Sequence, residues 1–182
     1  MRLQHSPVVA LALLPLLLPR IADAAQDFPK MHVGLWQTTT VTQSADPANP
    51  STPHVSSICL DASVQQLMVQ FSQGLISGIC SKHDLRVSGS TVESDSVCDL
   101  MGSRTTTHLT MKFSGDTRYH ADAHTTYEPA AHGRAQAGTA IDGRYVGPCP
   151  AGMSPGDLTL PNGKMINVKS FAETMKTLSG GK

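Results

Sequence analysis

His120 and His124 stand four residues apart, with Asp122 between them, in the stretch "YHADAHTTY" (Tyr119 to Tyr127). Imidazole and carboxylate are metal-ligand and proton-transfer groups, so this spacing raises the question of an ion site. On a helix, residues four apart lie about 6 Å from each other and can share an ion. On a strand they lie about 13 Å apart, at about 3.3 Å per residue. The answer depends on the element. "HADAH" is not the H-E-x-x-H of zinc peptidases, because Ala121 occupies the glutamate position. "GMSPG" (Gly152 to Gly156) matches the G-x-S-x-G nucleophile elbow in letters only. That elbow uses the N–H after the serine, and here the next residue is Pro155, which has none. No histidine follows His132 to complete a triad in the required order. No Walker loop and no G-x-G-x-x-G occur. The expectation is a non-enzymatic protein with no cofactor.

The faces around the histidines alternate with period two. Tyr119, Ala121, Ala123, Thr125 and Tyr127 fall on one side, and Arg118, His120, Asp122, His124 and Thr126 on the other. The preceding segment sets Leu109, Met111 and Phe113 against His108, Thr110 and Lys112. This is the pattern of an antiparallel strand pair with one covered face. The two histidines alone therefore cannot hold one ion. Pairing Phe113 with Thr117 keeps the apolar faces together and sets His108 opposite Asp122 and Thr110 opposite His120. The one metal candidate is then His108, His120, Asp122 and His124 together. The competing reading, a solvated polar face with one His–Asp hydrogen bond, is favoured because exposed ligands lack the outer shell that orients them.

The elements that position this hairpin follow from the rest of the chain. Of 182 residues, 1–24 read as a secretory signal peptide: Arg2, then the apolar run "PVVALALLPLLL", then the small residues Ala22 and Ala24 flanking Asp23. A dozen apolar residues are too few to span a bilayer, which takes about 20. No cysteine follows the run for lipid attachment. Cleavage after Ala24 leaves 12 basic groups (14 less Arg2 and Arg20) and 13 acidic ones (14 less Asp23). That near-neutral balance argues against nucleic acid and against strong electrostatic membrane binding. The mature chain is expected to be periplasmic, with no transmembrane segment.

Residues 25–150 read as one α+β, mainly β domain: an antiparallel, curved sheet or partly open barrel packed on one core helix. Strand-forming segments are "MHVGLWQTTTVTQ", "HVSSICL" and five further runs from His83 onward, separated by Gly, Ser and Asp. The helix spans residues 61–77. Val64, Leu67, Met68, Phe71 and Leu75 form its apolar face, Asp61 its cap and Gly78 its stop. Residues 151–182 are a Pro- and Gly-rich tail with a short helix. Val168, Phe171, Ala172, Met175 and Leu178 share one face of it, and Ser170 with Glu173 make a capping box.

Cys59, Cys80, Cys98 and Cys149 all lie in the exported part, with no C-x-x-C. An even count in an oxidising compartment reads as two disulfides, and four cysteines allow three connectivities. Cys59 and Cys80 bracket the helix closely, so the expected pairs are Cys59–Cys80 and Cys98–Cys149. Closing the shorter loop adds about 3 kcal/mol in the chain-entropy treatment.

"GLWQTT" (Gly34 to Thr39), "ICLD" before the helix and "DGRYVGPCP" (Asp142 to Pro150) occur in that order. Together they resemble the domain of unknown function 3617 family, small exported proteins of Gram-negative bacteria, over Met31 to Pro150. Cys59 and Cys149 sit at that family's cysteine positions, and Cys80 and Cys98 fit its layout. Its opening motif usually carries Glu after Gly-Leu-Trp, where this chain has Gln37. The resemblance implies export and a compact disulfide-bearing domain. It implies no activity, so no functional residue is carried over. The function expected is binding of a small apolar ligand or an envelope protein, with Trp36, Leu67, Met68 and Phe71 as lining; the alternative is a periplasmic metal-binding protein.

Overall fold

The structure, a computed structural model, describes residues 28–43, 51–100, 102–131 and 133–179, with backbone only at 71–79, 175, 176, 178 and 179. The expected signal peptide and the side chains of Phe71, Leu75, Met175 and Leu178 lie outside the described residues. Nine strands form one antiparallel open sheet: β1 (Gly34–Thr42), β2 (His54–Leu60), β3 (Cys80–Ser88), β4 (Thr91–Leu100), β5 (Ser103–Ser114), β6 (Arg118–Ala131), β7 (Arg134–Gly147), β8 (Asp157–Thr159) and β9 (Met165–Asn167). Helix α1 (Ala62–Ile79) joins β2 to β3, and α2 (Val168–Ser179) closes the chain. The spatial order is β3-β4-β5-β6-β7-β1-β2-β8-β9. From β3 to β7 the strands meander, as short Gly-containing turns dictate; Gly89, Gly115 and Gly133 supply the left-handed residues, at φ 58°, 63° and 75°.

The chain must then travel from β2 to β3 across the intervening strands. Six inter-strand gaps separate them, about 29 Å at about 4.8 Å per gap. A helix of 18 residues is about 27 Å long. Helix α1 is therefore the bridge across the sheet's inner face. Asp61 caps it, accepting the Val64 N–H at 2.7 Å. The helix runs past Gly78 and passes directly into β3 at Cys80, so the glycine stop expected there does not operate.

That crossing overturns the expected disulfide pairing. The bonds are Cys59–Cys149 and Cys80–Cys98. Cys59 and Cys80 are neighbours in sequence only, because the helix between them carries the chain from one side of the sheet to its far edge. Cys80 instead faces Cys98 across the β3–β4 hairpin. Cys59 ends β2 and Cys149 follows β7, and these two strands flank the start of β1, where Leu35 pairs with both Cys59 and Gly147.

The core lies where β1, β2 and α1 meet: Trp36, Ile58, Leu60 and Val64, all buried. The "GLW" motif builds it. Gly34 has φ 137°, and a Cβ there would meet the Gly147 carbonyl oxygen and the Tyr145 ring. Trp36 is 1% exposed and donates its indole N–H to the His32 carbonyl at 2.8 Å. Its ring stacks on Tyr119 at 5.8 Å and meets Tyr145 edge-on at 6.4 Å. Gln65 ties the helix to the chain entering β1, donating to the Met31 carbonyl and accepting the Met31 N–H. Trp36 is thus core and not a ligand platform. Met68, expected on the helix's inward face, is 47% exposed.

The C-terminal segment docks on the domain. β8 pairs with β2, β9 with β8, and α2 packs near α1. Asn167 caps α2, its Oδ1 accepting the N–H groups of Lys169 and Ser170. Ser170 lies inside the first turn, so the expected Ser170–Glu173 capping box is replaced by an Asn cap three residues earlier.

Candidate functional site

The hairpin bearing the histidines is β5–β6, and its faces are as the alternation requires: Ala121 is fully buried while His120, Asp122 and His124 are exposed. Its register differs from expectation. Phe113 pairs with Tyr119 and Ser114 with Arg118. His108 therefore stands opposite His124, Thr110 opposite Asp122 and Lys112 opposite His120. Every residue's partner is displaced by two residues, which preserves the faces and changes every neighbour.

The four candidate ligands are divided by this slide. His108 donates from Nδ1 to Asp95 of β4 at 2.7 Å, and the same carboxylate accepts from Arg86 at 2.6 Å. These two bonds, His108 first, hold the Asp95 carboxyl below its ordinary range. His120 donates from Nδ1 to Asp142 of β7 at 2.8 Å and from Nε2 to Asp122 at 3.1 Å. Both ring nitrogens are engaged, so neither is free for an ion. His108 and His120 stand four residues apart along the sheet, about 13 Å. His124 has no hydrogen-bond partner among the described residues. Among the described residues no group of three or more His, Cys, Asp or Glu side chains is placed to hold a metal. The expected site of His108, His120, Asp122 and His124 is thus two separate His–Asp arrangements. The hydrogen bond from His120 to Asp142, reinforced by Asp122, raises the His120 pKa above its ordinary value. Partner strands β4 and β7 supply the acids, and sequence spacing alone gave no signal for Asp95 or Asp142.

The inner face has a different character. Val87, Leu109, Met111, Phe113 and Ile141 lie on it and are half-buried, whereas Val92 and Ala121 are fully covered. Several of its hydroxyls bond to one another or to backbone, Thr38 to Tyr119, Thr42 to Thr139, Thr107 to Thr125 and Thr105 to the Cys98 carbonyl, and Ser94 bonds to the His83 ring at 3.1 Å. Between Val87 and Ile141 the face presents mainly methyl, methylene and ring carbon, with the His83–Ser94 pair at its β3–β4 side. Tyr119 crosses it beside Gly143, where a Cβ would overlap the ring. Burial raises the Tyr119 hydroxyl pKa, keeping it neutral. A second hollow, of 330 Å³, lies between α1 and α2 and is lined mainly by polar groups, with Leu67 and Ala172 the apolar contributions. Leu67 thus turns to this cleft.

No curated protein and no solved structure matches the chain. A family model described as "Protein of unknown function (DUF3617)" matches residues 31–149, which covers β1 through the end of β7 and the second cysteine of the long disulfide. The chain belongs to the DUF3617 family.

Proposed function

We propose that this chain is exported to the periplasm and acts there as a non-catalytic binding domain, taking a small apolar ligand on the inner face of its sheet. The observation that carries the reading is the incomplete cover of that face. Strand positions that alternation assigns to the core, namely Val87, Leu109, Met111, Phe113 and Ile141, keep part of their surface accessible. Aliphatic surface left on one continuous sheet face favours an apolar occupant, at about 25 cal/mol per Å² removed from water. The self-bonded threonines beside it offer no competing polar recognition. Two disulfides support an oxidising compartment, and among the described residues no helix is long and apolar enough to cross a membrane.

Native mass spectrometry of protein purified from the cells that make it tests the reading. The expected result is a mature mass lacking residues 1–24, accompanied by an organic-extractable adduct. Replacement of Met111 by Glu should remove the adduct. A full-length, uncleaved chain would refute export, and a bare protein mass in every preparation would refute ligand carriage.

A further inference from the structure

The outer face carries two arginines that its own acids do not neutralise. Arg118 of β6 pairs directly with Arg144 of β7. Like charges directly opposite on neighbouring strands destabilise a sheet, so such a pair normally comes with carboxylates. Single cations elsewhere on this molecule do face carboxylates: Arg86 has Glu93 and Asp95, Lys82 has Asp84, and Lys169 has Asp61. Here Asp142, two residues before Arg144, is engaged by His120 instead. Arg144 donates from Nε and Nη2 only to the neutral amide oxygen of Gln37, at 3.2 and 2.6 Å. Among the described residues Arg118 has no hydrogen-bond or ion-pair partner. These two arginines, His120, Ser114, Thr39 and Asp142 surround an open hollow of about 400 Å³.

We propose that this hollow binds a phosphate group, either free or at the head of a larger molecule. Cross-strand Cα atoms lie about 5 Å apart, so two guanidinium forks converge on one small anion while gripping different oxygens. His120 engages the carboxylates of both Asp142 and Asp122, and the two arginines supply the positive charge that faces the anion. Ser114 and Thr39 place hydroxyl donors at its margins. A bound phosphate also relieves the Arg118–Arg144 repulsion. This site is on the face opposite the apolar one, so it stands or falls independently of the proposed ligand.

The test is a titration of the full mature protein with inorganic phosphate at constant ionic strength, observed on the arginine Nε–H signals by NMR, with sodium chloride as the control. Co-sedimentation with phosphatidylcholine vesicles, with and without phosphatidic acid, forms the second arm. Saturable shifts that weaken at least tenfold in Arg118→Gln and in Arg144→Gln, and persist in Lys82→Gln, are expected. Arg118 has no partner to lose, so Arg118→Gln should melt no lower than the parent chain, which separates lost binding from lost folding. Vesicle binding that requires phosphatidic acid and is abolished by Arg118→Gln, without saturable free-phosphate shifts, assigns the same site to a lipid headgroup. Shifts reproduced by chloride, shifts unchanged by both arginine variants, or no response in either arm would overturn the proposal.

Discussion

The two disulfides differ fivefold in the length of chain they close, and that difference should be measurable. Cys59–Cys149 closes a separation of 90 residues and Cys80–Cys98 one of 18. The shorter loop is nested inside the longer. With Cys80–Cys98 intact, the longer circuit is shortened to about 72 residues, because the inner bridge bypasses its own loop. In the chain-entropy treatment the inner bond contributes about 3.2 kcal/mol and the outer about 4.4 kcal/mol at 25 °C. The variant without Cys59–Cys149 keeps only the 18-residue loop, about 3.2 kcal/mol, and the variant without Cys80–Cys98 keeps the full 90-residue loop, about 4.6 kcal/mol, so replacing Cys59 and Cys149 together by Ser should destabilise the domain by about 1.4 kcal/mol more than replacing Cys80 and Cys98 together. Urea unfolding of both double variants, with midpoint and slope fitted separately, reads the difference. The structure adds to this ordering: the outer bond joins the two strands that flank the Trp36 core, and the inner one only staples an edge hairpin. Equal losses, or a larger loss from the Cys80–Cys98 pair, would refute the loop-length reasoning. A non-reducing peptide map linking Cys59 to Cys80 would refute the connectivity itself.

Two further outcomes follow from the geometry. Gly143→Ala sets a Cβ into the Tyr119 ring and should cost about 1–3 kcal/mol as overpacking, read by thermal melting; an unchanged midpoint would mean the ring does not lie across Gly143. His120 should titrate above its ordinary value of 6.5, and Asp142→Asn should bring it down, as followed by NMR. Because its folded pKa is raised, the stabilisation it provides is complete below the unfolded pKa and is lost as pH rises through the folded one. Stability that instead rose with pH over that interval, and depended on His120, would contradict the assignment.

Much of the fold is written in local pattern. Segments "HVSSICL" and "RAQAGTAIDGRYVG" coincide with β2 and β7 to the residue, because glycines or prolines bound them and alternation marks them. Asp61 is read correctly as a cap since capping is a contact within one turn. What was not legible depends on distance through the chain. Alternation fixes only whether odd residues meet odd ones, and both Phe113–Thr117 and Phe113–Tyr119 satisfy it. The turn at Gly115 chose between them. That two-residue difference separated His108 from His120 and Asp122. The disulfides failed for a related reason: proximity in sequence is a poor guide when a helix as long as the sheet is wide lies between two cysteines. Asp95 and Asp142 are ordinary acids in the sequence, and only the strand order places them against His108 and His120.

The central claim is that the incompletely covered inner face holds an apolar molecule. Native mass spectrometry of the chain and of its Met111→Glu variant, purified side by side from the producing cells, tests it most directly. An extractable apolar adduct is expected on the parent chain and none on the variant. A bare mass on both, or the same adduct on both, would contradict it.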